Sequence, residues 1–347
     1  MEEPTTSEAA PQNDTQGSPE PDSQDIVEPA STEEDSTYGE DEFRSYATSL
    51  SSSVEKYQWE HGRRFHAYRE GSYQFPNDEK EQDRLDLFHH LFTIALGDKL
   101  HLAPIPSSKS IRILDIGTGT GIWAMEMGEK YPDAEVIGND FSPIQPRWVP
   151  PNVEFEVDDC ESPWPERLPF DFIHSRYMAG SIQDWPKLIR QCYENTAPNG
   201  WVEFQDFDLR NYSEDNSIDA ENKVLELYNL LIDGCEKAGR TACPGPRLEN
   251  WVEEAGFRNV RHETFRLPLG PWPKDPRMKN IGALNLMQFL DGLEAFTIGL
   301  FTRMHGWSPE RVQVFLKDVR QDAKRRSVHM MHTFHVVYAQ RINEATQ

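Results

Sequence analysis

The chain has 347 residues, with 35 Lys and Arg against 59 Asp and Glu, and a formal net charge of −24 at pH 7. Nucleic acid is excluded as a partner because binding it needs a basic face, and the only basic runs are Arg63-Arg64 and Lys324-Arg325-Arg326. The sequence shows no secretory signal, no apolar run near the ~20 residues of a membrane span and no zinc-ligand cysteine spacing, so we expect a cytoplasmic or nuclear protein without a metal.

Residues 1–45 are predicted to form a disordered acidic tail. The first 42 residues contain 14 Asp and Glu, no Lys or Arg and hardly any large apolar side chain. Such a segment cannot bury enough surface to offset its chain entropy. Subtracting these 14 negative charges from −24 leaves −10 on the remaining residues, which are therefore acidic as well. The tail either keeps the chain in solution, which its composition favours, or binds a partner.

Residues 46–110 are predicted to form an N-terminal helical cap. Asp78 is a plausible N-cap residue, and Glu81 follows three residues later in a capping-box arrangement, ahead of a helix that runs to about Leu100. One face of this helix is apolar and is interpreted as core packing rather than a cofactor contact; it consists of Leu85, Phe88, Phe92 and Ala95.

The most informative segment is residues 111–124, IRILDIGTGTGIWA, in which an apolar run ends at Asp115 and glycines then occupy every second position. This pattern predicts a buried strand, a tight turn and the start of a helix. Glycine permits positive φ and close approach of a ligand to the backbone, while the helix N-terminus offers free N–H groups. We therefore expect a nucleoside cofactor at Gly117, Thr118, Gly119 and Gly121.

The glycine spacing indicates which kind of nucleoside cofactor the turn binds. Dinucleotide sites use G-x-G-x-x-G, whereas this turn is G-x-G-x-G, and the carboxylate of Asp115 would repel a pyrophosphate. The same carboxylate would attract an ammonium group. S-adenosylmethionine carries an ammonium and a sulfonium but no phosphate, so it is the expected cofactor. A nicotinamide-dependent oxidoreductase stays an alternative only because such enzymes share the broad Rossmann type of fold.

Two further strands are predicted to end beside the glycine turn. Residues 134–142 form an apolar strand that ends at Asp140, followed by Phe141, and this carboxylate can accept both ribose hydroxyls. The strand at residues 153–157 is followed directly by two acidic residues, Asp158 and Asp159. There Asp159, favoured over Asp158, would accept from the adenine amino group, and the backbone N–H of Cys160 would bond to the ring.

The rest of the chain continues the alternation of strands and helices. Strands are predicted at 170–175, 201–206, 257–265 and 334–341, with helices at 185–195 and at about 218–238 and 246–255. The fold class is therefore α/β, a Rossmann-like, seven-stranded doubly wound sheet with helical caps, over residues 111–347. A helical insertion at about 276–328 is too long for a hairpin and is interpreted as a substrate-side cap.

Aromatic residues in and near the insertion are candidates for an acceptor pocket, although their helical spacing also fits core packing. They are Trp272, Phe289, Phe296, Phe301 and Trp307.

Candidates for a general base follow the fourth and fifth strands, where a doubly wound sheet opens its crevice. They are His174, Arg176, Tyr177, Glu203, Asp206 and Asp208. Tyr177 and Asp206 are the best placed, but no spacing marks either as catalytic. The position of His174 within the predicted fourth strand is typical of a histidine in the core.

Residues 114–124 together with Asp140 resemble the class I methyltransferases that use S-adenosylmethionine. Longer motifs resemble the LaeA-like family of fungal methyltransferases over roughly residues 55–340. These motifs are HGRRFHAY at 61–68, GSYQFPND at 71–78, EQDRLDLFH at 81–89, SPIQP at 142–146, ESPW at 161–164 and DFIH at 171–174. The chain departs from the usual Pro-Gly-Gly at 197–201, which reads APNGW.

The resemblance implies that N-terminal elements close over the cofactor, and it makes Tyr73 and Arg84 candidates for contacting its carboxylate end. An ion pair between Arg84 and Glu81 or Asp78 is the alternative. The family includes enzymes that methylate a secondary metabolite or peptide product. It also includes nuclear regulators of secondary metabolism and development that act through velvet-type protein partners, and both roles stay open.

Overall fold

The computed structural model describes residues 58–60, 63–65, 76–106 and 110–343. The predicted acidic tail and Tyr73 lie outside these residues. Within these ranges, the N-terminal part contains a short antiparallel strand pair, β1 (Gln58–Glu60) and β2 (Arg63–Phe65), and helix α1 (Glu79–Ala95). No helix in the described ranges is both long enough and apolar enough to cross a bilayer.

A single seven-stranded sheet follows, in the order β5-β4-β3-β6-β7-β9-β8. The pairs from β5 to β7 are parallel, and β9 pairs antiparallel with both β7 and β8. The strands are β3 (Arg112–Ile116), β4 (Glu135–Asp140), β5 (Val153–Val157), β6 (Phe170–Arg176), β7 (Thr196–Tyr212), β8 (Arg258–Pro268) and β9 (Met331–Gln340). The expectation of a Rossmann-like seven-stranded sheet is confirmed.

The helices cover the sheet. They are α2 (Ile122–Lys130), α3 (Trp185–Asn195), α4 (Lys223–Lys237), α5 (Leu248–Glu254), α6 (Pro276–Met304) and α7 (Pro309–Ala323). The predicted insertion consists of α6 and α7 and connects β8 to β9. It shares a core with α1 and α4, in which Phe88, Leu231, Phe289 and Leu293 are buried in one cluster. Most of the aromatic candidates of this region therefore belong to the core.

Several boundaries differ from the sequence prediction: α4 starts at Lys223 rather than near residue 218, β8 continues to Pro268, and β9 starts at Met331. Helix α1 ends at Ala95 rather than near Leu100, because Gly97 and Asp98 adopt left-handed conformations with φ of 72° and 61°. Strand β7 is longer than expected, since its outer half pairs with β9 as far as Tyr212.

Helix α1 begins as predicted at Asp78, whose side chain accepts from the backbone N–H of Glu81 at 3.1 Å. The carboxylate of Glu81 pairs with the buried Arg84, with 2.6 Å between Oε1 and Nη2. The ion pair considered as an alternative for Arg84 is therefore present, and it is buried rather than exposed.

Glu203 on β7 ties the segment after α1 to the sheet. Its carboxylate is buried and accepts from the backbone N–H groups of Leu102 at 2.8 Å and Ala103 at 2.6 Å. Burial raises the pKa of Glu203 to about 7, from an ordinary value of 4.5. The folded state therefore holds this proton more tightly than the unfolded chain does, so the free energy of unfolding falls as pH rises through this interval.

We expect the free energy of unfolding to fall less between pH 5 and pH 8 in Glu203→Gln than in the wild type, because the glutamine has no proton to release. Urea denaturation at the two pH values measures the difference. Glu254→Gln, at an exposed position on α5, is the control and should behave like the wild type. Equal pH dependence of the wild type and Glu203→Gln would contradict the assignment.

Candidate cofactor and acceptor site

A cleft of about 1230 Å³ opens at the carboxyl ends of the parallel strands, between them and helix α1. It is the crevice in which open α/β sheets bind ligands. The structure brings most of the predicted cofactor residues into its wall, namely Arg84, Asp115, Gly117, Thr118, Gly119, Asp140, Phe141 and Cys160. Gly121 and Asp159 are not in the described wall. The apolar face of α1 is not purely core, since Leu85, Phe88 and Phe92 line the cleft.

All three glycines of the turn have positive φ, but they serve different purposes. A Cβ at Gly117 would collide with the thioether of Met178, and one at Gly121 would collide with the ring of Phe155. Gly119, with φ of 57°, is different because its nearest neighbour would be Leu85 Cδ1 at 3.6 Å. Gly117 and Gly121 are therefore closely packed by neighbouring side chains, whereas Gly119 leaves its backbone open to the cleft.

Asp140 is held at the end of β4 by the turn itself. Its Oδ2 accepts from the N–H of Gly119 and its Oδ1 from the N–H of Ser142, each at 2.9 Å. Burial raises the pKa of this carboxyl, and the nearby charge of Asp115 raises it further. The backbone of Phe141 gives a third hydrogen bond, so the carboxylate, with about four acceptor sites, can still accept from a ribose hydroxyl.

Asp115 is engaged within the protein as well as lining the cleft. Its Oδ2 accepts from the hydroxyl of Thr118 at 2.6 Å, and its Oδ1 contacts Nδ1 of His174 at 2.8 Å. The ring of His174 stacks on Trp123, with 3.8 Å between centroids. Burial lowers the pKa of His174, so a neutral imidazole donates Nδ1–H and leaves the negative charge on Asp115. His174 is buried, as its place in the strand suggested, but it also lines the cleft, and its Nε2 has no hydrogen-bond partner among the described residues.

At the predicted adenine end, the structure puts Asp158 in the cleft wall rather than Asp159. The carboxylate of Asp159 accepts from the N–H of Glu161 and the hydroxyl of Ser162, both at 3.0 Å, and so holds the turn after β5. The residue that the sequence ranked second therefore has the better position. Cys160 lines the cleft as expected, and burial raises the pKa of its thiol well above the ordinary value.

Arg84 lines the cleft, but its guanidinium is committed to neighbours. Its Nε and Nη2 donate to Glu81 at 3.0 and 2.6 Å, and its Nη1 donates to Oε1 of Gln288 at 3.0 Å. The side chain also lies over the ring of Phe296, at 5.0 Å from the centroid. It therefore joins α1 to α6, with its positive charge balanced inside the protein.

Arg176, at the end of β6, is a cation of the cleft wall to which the sequence analysis gave no cofactor role. Its Nη2 donates to Nδ1 of His89 at 2.7 Å, whereas Nη1 is buried and has no hydrogen-bond partner within the described part of the chain. No carboxylate of the described residues pairs with it, and burial lowers its pKa to about 10. A buried cation in a cleft wall needs an anion, so Arg176 is better placed than Arg84 to pair with an anionic group of a ligand.

A second, smaller cavity of about 590 Å³, called here the chamber, adjoins the cleft. The two share the side chains of Phe88, Tyr177, Ala179 and Phe296. The remaining chamber wall comes from β7, α4, α6 and β9, with Phe207, Leu209, Tyr228, Leu231, Cys235, Asn285, Gln288 and His332. Phe296 is the only one of the five aromatic candidates in the described walls of either cavity.

The two candidate bases have different positions. Tyr177 lies in the wall shared by both cavities and has a φ of 59°, a conformation that costs a residue with a side chain roughly 1–3 kcal/mol. Asp206 does not line either cavity in the described structure. Its carboxylate accepts from the N–H groups of Met178 and Phe207 at 2.8 Å, and burial raises its pKa to about 7. Asp206 therefore positions the Tyr177 segment.

Comparison with known proteins identifies the family of this chain. A family model described as a methyltransferase domain matches residues 87–262. "Methyltransferase pytC" of Aspergillus terreus is 53% identical over 299 residues, covering 86% of this chain and 92% of that protein. "Secondary metabolism regulator LAE1" of Cochliobolus heterostrophus is 36% identical, covering 81% and 94%. "Protein-methionine methyltransferase laeA" of Emericella nidulans is 34% identical, covering 84% and 79%.

These relatives extend over more than four-fifths of the chain and well beyond the cofactor turn. The family model itself covers about half of the chain, from residue 87 to residue 262. The cofactor is S-adenosylmethionine, as the glycine turn predicted, and the protein is an enzyme. The protein belongs to the LaeA-like family of S-adenosylmethionine-dependent methyltransferases.

Proposed function

We propose that the protein methylates a small secondary metabolite that binds in the chamber. The observation that carries this proposal is the shared wall, in which Phe88, Tyr177, Ala179 and Phe296 border both cavities. An acceptor in the chamber would therefore lie next to the cofactor cleft. The 53% identity to a protein named methyltransferase, against 36% to one named regulator, also supports an enzyme with its own substrate.

The bound cofactor supplies a methyl group already activated on a sulfonium, so the protein mainly contributes proximity and orientation. In this proposal Arg176 binds the cofactor carboxylate and Asp140 the ribose, with Asp158 and Cys160 at the adenine. Asp115 supplies negative charge beside the ammonium group. The strained Tyr177, fixed through Asp206, orients the acceptor at the boundary of the two cavities.

Filling the chamber should stop product formation without affecting the cofactor. We expect Leu231→Trp to bind S-adenosylhomocysteine like the wild type and to lose methylation of small molecules, because Leu231 is buried in the chamber wall. The assay is mass spectrometry of a metabolite extract incubated with protein and S-adenosylmethionine, in which a methylated product gains ~14 Da. Leu168→Trp, at a site with 72% exposure, is the matched control.

A second candidate is a regulator that methylates a protein methionine and acts in the nucleus with a velvet-type partner bound by the acidic tail. The regulatory role is supported by the LAE1 relative, a secondary metabolism regulator, and the methionine target by the laeA relative, a protein-methionine methyltransferase. Met178, whose thioether lines the cleft beside Gly117, is a methionine within this chain at the site. The same incubation distinguishes the two candidate functions, because mass spectrometry measures both the intact mass of the protein and the masses of the metabolites in the extract. A methyl group on the chain alone would favour the regulator over the metabolite enzyme.

A further inference from the structure

One end of the chamber wall carries the amide side chains of Gln288 and Asn285, and a hydrogen bond from Arg84 determines how these amides are oriented. A guanidinium only donates, so the 3.0 Å contact from its Nη1 places the oxygen of the Gln288 amide toward Arg84. The Gln288 nitrogen then donates to Oδ1 of Asn285 at 2.9 Å. Asn285 in turn donates from Nδ2 to the carbonyl of Pro268 at 2.8 Å. Both amides are therefore held in a single orientation.

This orientation determines which nitrogen of His332 carries the proton. Its Nδ1 contacts Nδ2 of Asn285 at 3.5 Å, and because that nitrogen is a donor, Nδ1 is the acceptor. Burial lowers the pKa of His332 to about 4, so the ring is neutral at pH 7. The single ring proton therefore lies on Nε2.

The Nε2–H group of His332 is a donor without an acceptor. This nitrogen is buried, and no atom of the described residues hydrogen-bonds to it. The residue is only 3% exposed, and its ring lies edge-on to Tyr228 with 4.9 Å between centroids, in the same chamber wall. A buried donor that stays unpaired is costly, so a bound molecule with an accepting oxygen would be recognised here.

The rest of the wall limits the charge of that molecule. The side chains known to line the chamber include no Asp, Glu, Lys or Arg, and most are aromatic or aliphatic. An ammonium or carboxylate group would be desolvated there without an opposite charge. A flat, uncharged ring system would instead pack against Phe207, Tyr228 and Phe296.

We propose that the chamber binds an uncharged, mainly apolar cyclic compound, and that His332 donates from Nε2 to a carbonyl oxygen of that compound. The inference rests on the proposed function, because it gives the chemical class of the acceptor at the same site. It also gives His332 a recognition role that the sequence motifs do not indicate.

The test uses the full chain saturated with S-adenosylhomocysteine and two probes, the cyclic ketone α-tetralone and the hydrocarbon tetralin. We expect the wild type to bind the ketone about tenfold more tightly by calorimetry, and His332→Leu to remove that preference while retaining the hydrocarbon. His90→Leu, at an exposed position on α1, should keep the preference. Leu231→Trp should bind neither probe, which tests the chamber if His332→Leu does not fold.

Equal affinity for the two probes in the wild type, failure to bind either probe, or a preference that survives His332→Leu would overturn the inference. So would tighter binding of a tetralin carboxylate, since it would require a cation in the chamber. Binding of S-adenosylhomocysteine is measured in the same samples. Its absence from the wild type would overturn the proposed function, whereas its presence without ketone selectivity would overturn only the role of His332.

Discussion

Replacing Arg176 with methionine is expected to weaken binding of S-adenosylhomocysteine by roughly 100-fold and to leave binding of methylthioadenosine almost unchanged. The second ligand has the same adenosine but lacks the amino acid end. Arg176 is a buried cation in the cleft wall, and its Nη1 has no partner within the described residues. Removing one partner of a desolvated charge pair costs about 2–5 kcal/mol, which is consistent with this loss.

The comparison between the two ligands separates a binding role from a structural one. If Arg176 only supported the fold, both ligands would lose affinity together. Arg167→Met is the control, because Arg167 pairs with Glu156 at 3.0 Å and is not part of the described cleft wall. The assignment is wrong if Arg176→Met binds both ligands like the wild type.

Replacing Gly119 with valine is expected to eliminate measurable binding of S-adenosylhomocysteine without unfolding the domain. A side chain here would extend from the turn toward Leu85 and fill the space left for the cofactor. Asp140→Ala should have the same effect, because it removes the carboxylate that the turn holds in place. Calorimetry measures binding, and thermal unfolding checks the fold.

Gly239→Val is a closely matched control for Gly119→Val. Gly239 also has a positive φ, of 71°, so both substitutions carry backbone strain, but its Cβ would meet nothing within 4 Å. We therefore expect a similar loss of thermal stability in the two variants and a loss of binding in only one. Retained affinity in both Gly119→Val and Asp140→Ala would mean that the turn is merely structural.

The sequence identified those parts of the site that depend on local pattern. The glycine turn and Asp140 follow directly from strand ends and glycine spacing, and parallel pairing of β3 with β4 then brings them together. The pair between Arg84 and Glu81 was foreseeable as an alternative because the two residues are one helical turn apart. The left-handed Gly97 that ends α1 carried a signal in its residue type.

The rest depends on contacts between distant segments. Arg84 and Gln288 are 204 positions apart, and no periodicity in either segment shows that α1 and α6 meet. Arg176 could be placed at a strand end, but only the structure shows that no carboxylate of the described residues pairs with it. Asp158 and Asp159 differ in orientation, which the sequence could not resolve because the strand ends just before them.

A crystal structure of the full chain with S-adenosylhomocysteine tests the assignment of the cofactor site most directly. The account predicts the ligand carboxylate on the guanidinium of Arg176, the ribose hydroxyls on Asp140 and an open chamber behind Tyr177. A carboxylate bound by Arg84 instead, with its pair to Glu81 broken, or a ligand that avoids the Gly119 turn, would contradict it.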